Sequence, residues 1–239
     1  VQAVIEKLGY RPSGIARSLA GGQTYTLGLI VPDIANPYFS GIAHGVASVT
    51  NAENFSLLLC DCEEDADLET IMLDVLDEKR VDGVIVASPR TATEKIIPAI
   101  KQHAHVVIIN RRFDEIDPPL LKSWVLNDDK AGGYMITQHF LERGHTKIGL
   151  LAGPKSSYGG ARRLEGYAQA MTERGFEPDQ NLIRYCIPTV EGAKAAFSEF
   201  ITEHPEMSAL YCFNDLVAIG VIQQCQQLGI RIPDDLAVF

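Results

Sequence analysis

A doubly wound α/β architecture with parallel sheets is the fold class this sequence predicts, and two observations predict it. The first is a series of short, continuous apolar runs: TLGLIV (26–31), SLLLC (56–60), DGVIVAS (82–88), VVIIN (106–110), SWVLN (123–127), KIGLLAG (147–153), ALYCFND (209–215) and LAVF (236–239). Such runs suit strands buried on both faces of a parallel sheet. The second is helical spacing in the gaps between most of them. Phe39, Ile42, Ala43, Val46, Ala47 and Val49 share one face, Leu68, Ile71, Met72, Val75 and Leu76 another, and Ala193, Ala196, Phe197, Phe200 and Ile201 a third. Strand–helix alternation of this kind implies right-handed βαβ units. The alternation breaks at the Pro-rich segment FDEIDPPLLK (113–122), which predicts two subdomains, 25–127 and 128–239.

The chain has 239 residues, enough for one large or two medium domains with real cores. Val1 to Leu8 reads as the last turns of a helix stopped by Gly9. In Tyr10 to Gln23, Pro12 can open a short helix over Ser13–Ala20 that Gly21-Gly22 ends. So short a helix is marginal alone in water and needs a surface to fold on. A net charge of −10 argues against the bulk of the chain gripping a polyanion. Residues 1–22 differ, since Lys7, Arg11 and Arg17 against Glu6 leave +2, so any nucleic-acid contact belongs at that end. Cys60, Cys62, Cys186, Cys212 and Cys225 form no disulfide framework, and four of them lie in or beside apolar runs, which suits reduced thiols in a cytoplasmic core. No run is long enough for a membrane-spanning helix.

In open α/β sheets the ligand crevice lies outside the carboxyl ends of the strands, so the residues there are the candidates. After the first run, Asn36 can cap a helix with Pro37 at its first position, and Tyr38 and Phe39 follow. Those rings either stack on a ligand or pack the helix onto the sheet. Asn110, Arg111 and Arg112 end the fourth run. Gly153 to Arg163 forms a Gly- and Ser-rich turn into a helix, and Asn214-Asp215 opens another. These side chains suit hydroxyls, ring nitrogens or a carboxylate. They assemble no reaction. No P-loop ending, nucleophile elbow, zincin motif or dinucleotide fingerprint occurs, so binding rather than catalysis is expected, with no cofactor and no metal. The acidic run Asp61–Glu69 lacks the glycine and spacing of a calcium loop and reads as a solvated loop and helix start. His145 reads as a residue satisfying backbone groups in its turn.

Several motifs then match one family in order. Tyr10-x-Pro12 with Ala16-Arg17-Ser18-Leu19, Pro32-Asp33-Ile34-Ala35-Asn36-Pro37-Tyr38-Phe39, Val81-Asp82-Gly83-Val84-Ile85 and Arg143-Gly144-His145 resemble LacI/GalR-type bacterial transcription repressors. So do Arg163-x-x-Gly166-Tyr167, Asn214-Asp215-x-x-Ala218-x-Gly220 and Ile232-Pro233-Asp234-Asp235. The resemblance implies a cytoplasmic homodimer, off the membrane, whose two lobes resemble periplasmic sugar-binding proteins and hold a small effector between them. It implies that 1–10 ends a helix-turn-helix domain and that 11–24 is a hinge, with Ala16, Arg17 and Leu19 against the operator minor groove. Effector contacts implied are Asn36, Tyr38, Phe39, Asn110 and Arg111 on the first lobe, and Ser157, Arg163 and Asn214 on the second.

Three departures and an end qualify that match. Ser13 stands where Asn is usual, Asn110 replaces a frequent Asp, and Ile187 falls near a position where some members place a stacking aromatic. The family continues past Phe239 with a further effector ligand, which implies a fragment at both ends. The expected function is a ligand-responsive regulator, with a sugar or sugar derivative as effector. The alternative is a secreted sugar-binding protein of a transport system, which shares the fold but carries a secretion signal instead of a hinge.

Overall fold

The computed structural model describes residues 22–113 and 121–239. The expected helix end at 1–10 and the operator contacts Ala16, Arg17 and Leu19 lie outside the described residues, as does most of 113–122. The chain divides into two compact units, with the boundary between Trp124 and Val125.

The first unit contains β1 (Thr26–Val31), α1 (Pro37–Ala52), β2 (Ser56–Asp61), α2 (Ala66–Glu78), β3 (Gly83–Ala87), α3 (Thr93–Ile100), β4 (Val106–Ile109) and β5 (Leu121–Val125). Its sheet runs β2-β1-β3-β4-β5, and the pairs among β1 to β4 are parallel. The two-residue period of a strand sends its apolar groups to opposite faces. Leu29 and Val31 pack with Phe39 of α1 and Ala87, while Ile30, Val84, Val86, Val106 and Ile108 pack with Leu73, Leu76, Ile96 and Ile100 of α2 and α3. Val49, expected on the buried face of α1, is 65% exposed, because at 3.6 residues per turn Thr50 (5% exposed), and not Val49, falls in line with Phe39 on that face. β5 occupies 121–125 rather than the expected 123–127, and Val125 and Leu126 stand exposed.

The second unit contains α4 (Asp129–Glu142), β6 (Ile148–Ala152), α5 (Tyr158–Glu173), a 3₁₀ turn (Gln180–Leu182), β7 (Ile183–Tyr185), α6 (Val190–Glu203), β8 (Ala209–Cys212), α7 (Asp215–Leu228) and β9 (Ala237–Val238). Its sheet runs β7-β6-β8-β9 and is parallel throughout. Ile148, Leu150 and Ala152 meet Phe140, Tyr167 and Met171 of α4 and α5, while Leu151, Leu210 and Cys212 meet Phe197, Phe200, Val217 and Val221 of α6 and α7. β7 is an edge strand of three residues, Ile-Arg-Tyr, with no apolar run to announce it.

Two glycines set how α4 meets α5. A Cβ on Gly133 would lie 2.2 Å from the Arg163 carbonyl oxygen, and one on Gly166 would lie 2.1 Å from that of Lys130. The backbones therefore touch directly. On the neighbouring position the Tyr167 hydroxyl donates to the Ile148 carbonyl at 2.9 Å in the core, and burial pushes that phenol up to about 12.

All five cysteines are free. Burial pushes the thiols of Cys62 and Cys186 up to about 12 and that of Cys225 to about 11, and it raises Cys60 and Cys212 as well. They stay protonated at neutral pH and act as small core groups. Among the described residues no helix is long and apolar enough to cross a membrane.

Candidate functional site

In the first unit the strand ends gather three side chains. Asn36 caps α1: its Oδ1 accepts from the Tyr38 backbone N–H at 3.0 Å, and Pro37 occupies the first helical position. A cap of this kind stabilises a helix by about 1 kcal/mol. It also fixes where Tyr38 stands. The Tyr38 ring is 46% exposed, whereas Phe39 is 5% exposed and packs with Leu29, Val31 and Ala87. Packing, one of the two roles open to these rings in the sequence, accounts for Phe39 here, and the exposed aromatic surface belongs to Tyr38. Asn110, just past β4, donates from Nδ2 to the Tyr38 hydroxyl at 2.6 Å and to the Ser88 hydroxyl at 2.9 Å. Both Ser88 (φ +49°) and Asn110 (φ +61°) hold left-handed backbone, which disfavours most side chains and marks positions the surroundings must enforce.

Arg111 is turned onto the segment after β3. Its guanidinium donates to the carbonyls of Pro89 (3.2 Å) and Thr91 (2.6 Å) and to the Thr93 hydroxyl (3.0 Å), and it lies 4.5 Å from the centre of the Phe113 ring. The same segment is gripped from below. Glu69 accepts from the backbone N–H groups of Arg90 (2.8 Å) and Thr91 (3.3 Å), and the Arg90 guanidinium pairs with Glu64 and donates to the Ser88 carbonyl at 2.9 Å. Glu69 and Arg90 are 2% and 6% exposed. The acidic run is therefore only partly the solvated loop expected of it. Asp65 caps α2, as a helix start requires, but Glu69 is buried because it answers two backbone donors.

In the second unit the corresponding groups are two helix caps and an arginine. Ser157 caps α5, accepting from the Gly160 N–H at 3.1 Å, and is nearly buried; Asn214 caps α7, accepting from the Val217 N–H at 2.9 Å. Arg163 donates from Nε to Asp129 at 2.9 Å and from Nη1 to the Phe213 carbonyl at 2.6 Å, with its guanidinium 5.0 Å from the Phe213 ring centre. It thus ties α5 to the start of α4 and the end of β8. Lys155 lies 4.9 Å from the centre of the Tyr185 ring, and Ile187 beyond it is 66% exposed. His145 bonds the Ser208 hydroxyl at 3.0 Å and stacks edge-on against Phe140, a side-chain partnership in place of the backbone role expected of it.

Sequence reasoning missed Ser88, Asp129 and Phe213. Ser88 closes the run 82–88, so the strand-end rule reaches it; Asp129 and Phe213 matter only through Arg163, a link no spacing discloses. Among the described residues no three His, Cys, Asp or Glu side chains stand grouped to hold a metal ion. What the two sets offer is a hydroxyl, a phenol, amides and arginines whose charges already have partners, which is equipment for hydrogen-bonding a polar small molecule.

Comparisons with known proteins give the chain its family. The family described as periplasmic binding proteins and sugar binding domain of the LacI family matches residues 24–239. The helix-turn-helix-type transcriptional repressor PurR of Photobacterium profundum is 32% identical over 238 residues, spanning 100% of this chain and 70% of the relative. The helix-turn-helix-type transcriptional regulator DegA of Bacillus subtilis is 31% identical over 238 residues, with the same two shares. Among solved structures, a transcriptional regulator CelR–cellobiose complex superposes with a TM-score of 0.77 at 27% identity, over 99% of this chain and 71% of that one.

Proposed function

Because this chain belongs to the family of periplasmic binding proteins and LacI-type sugar-binding domains, we propose that it senses a sugar or sugar derivative and sets operator binding through hinge helices. The observation that supports the sugar is the make-up of the strand ends. Tyr38, Ser88 and Asn110 share one hydrogen-bonded cluster in the first unit, and Ser157 and Asn214 cap helices in the second. Paired donors and acceptors beside one exposed ring match alternating hydroxyls and a flat C–H face. The cellobiose complex of the similar regulator is in keeping with that choice.

In this reading Tyr38, Asn110, Ser157 and Asn214 meet the effector. Asn36, Phe39, Arg111 and Arg163 hold the elements that present them. Two copies of the chain pair so that two hinges, each with Ala16, Arg17 and Leu19, lie side by side on operator DNA in the cytoplasm. Effector binding moves the operator equilibrium only by its differential affinity for two arrangements of the protein.

The test is a thermal-shift screen of monosaccharides, cellobiose and purine bases on this chain. A bound ligand at a hundred times its Kd adds about 2.7 kcal/mol of stability, enough to read directly. A sugar should raise the unfolding midpoint, and Tyr38→Ala should remove the rise. Stabilisation by a purine alone would replace the sugar, and no rise with any compound would remove these strand ends as a ligand site. In the intact regulator, Leu19→Ala should weaken operator binding and leave effector affinity in place; equal damage to both would dismiss the hinge.

A further inference from the structure

We propose that Arg90 is a positioning residue for ligand capture, acting through the backbone of Ser88. The inference rests on the reading of the first unit's strand ends as part of the effector site.

The problem it solves is conformational. Ser88 sits at φ +49° directly after β3, and an L residue other than Asn, Asp or Gly does not choose that backbone without help. The help comes from the backbone of β4 and from one buried side chain. The Ser88 N–H donates to the Ile109 carbonyl at 2.7 Å, which ties it to β4. Its carbonyl accepts from Arg90 Nη1 at 2.9 Å. Arg90 cannot swing away, because Nε and Nη2 fork onto the two oxygens of Glu64 and its side chain is 4% exposed. Its own backbone N–H is held at 2.8 Å by Glu69.

A fork of this kind fixes direction as well as distance. The position it fixes is the one from which the Ser88 hydroxyl accepts the Asn110 amide at 2.9 Å, the amide that also reaches the Tyr38 hydroxyl. A displacement of Ser88 therefore breaks the cluster at its centre. Arg90 is buried and points to a carbonyl, so it has no route to a ligand of its own. Its effect must pass through Ser88.

The experiment is a double-mutant cycle on this chain. Affinity for cellobiose and for D-glucose is measured by calorimetry in the wild type, Arg90→Lys, Ser88→Ala and the double variant. Lysine keeps the charge and loses the fork. Each single change should weaken the sugar that binds by about tenfold, and the double variant should be no weaker than Ser88→Ala, since a residue acting through another is non-additive with it. Additive losses would place the action of Arg90 elsewhere and overturn the proposal, as would unchanged affinity in Arg90→Lys. Glu64→Gln is the second variant should Arg90→Lys unfold; it weakens the grip while leaving Arg90 in place, and it should show the same non-additivity.

Amide hydrogen exchange supplies a readout that needs no ligand. Arg90→Lys should speed exchange at Ser88 while the protection of β6 and β8 in the other unit stays as in the wild type. Unaltered exchange at Ser88 overturns the positioning role even if neither sugar binds. Failure of both sugars to bind the wild type counts against the effector reading instead, so the two failures are separable.

Discussion

At the scale of single residues, the backbone at Asn110 makes the sharpest statement. Its left-handed φ is one that Asn tolerates and a β-branched residue does not. Asn110→Gly should keep the fold within a few tenths of a kcal/mol while losing the bonds to Tyr38 and Ser88, whereas Asn110→Val should cost about 1–3 kcal/mol. Urea unfolding of the two variants separates the backbone effect from the hydrogen bonds. His103 makes the second statement. It is 4% exposed, its Nε2 has no partner among the described residues, and burial holds its imidazole below the ordinary value of 6.5 against the opposing pull of Asp77, the Leu73 backbone and Asp74. The unfolded chain therefore binds the proton first as pH falls, so stability drops as pH passes down through 6.5 toward the folded value. His103→Gln should flatten the fall in unfolding midpoint between about pH 7 and pH 5. Neither residue could be weighed so from the sequence, which offers Asn110 as a strand-end amide without its φ and His103 as one of six unrelated histidines.

At the scale of elements, the helices were legible wherever apolar spacing and a capping side chain coincide. Asn36-Pro37 before α1 is the clear case, since cap, first-position proline and apolar face all agree. β7 was not legible, because an edge strand of three residues has one face in water and no run to display. The contact of α4 with α5 was half legible: Gly166 stood in a recognised motif, yet nothing in one sequence says which backbone it admits. The geometry supplies that answer and a prediction. Gly166→Ala forces a methyl group to within 2.1 Å of the Lys130 carbonyl oxygen if nothing moves. It should destabilise the second unit by about 1–3 kcal/mol, the usual cost of overpacking, measurable by chemical denaturation. Gly132→Ala is the control, since a Cβ there meets nothing within 4 Å, and it should be neutral or stabilising.

At the scale of the whole molecule, the two-unit α/β architecture was legible because parallel strands buried on both faces write themselves as continuous apolar runs. The partners of the arginines were not, since Arg111 and Arg163 each bond atoms distant in sequence. Two units in one chain also predict how it unfolds. Trp124 is the single tryptophan, its ring is packed against the core of the first unit, and Arg112 lies 5.9 Å from its centre. Its emission reports on that unit alone, whereas far-ultraviolet circular dichroism reads helices in both. Without an effector the two thermal transitions should fail to coincide. Coincidence in its absence would mean that the units already unfold as one.

The glycine contact between α4 and α5 has one further consequence, for genetics. Arg163 leaves the turn of α5 whose carbonyl Gly133 touches, and the residue it grips, Asp129, opens α4 one turn before Gly133. A side chain inserted at Gly133 or Gly166 should therefore push the two helices apart and weaken the grip of Arg163 on Asp129. A selection for variants deaf to the effector should return these two glycines alongside the polar residues of the strand ends, and a map of deaf positions would draw a site larger than the surface that meets the ligand.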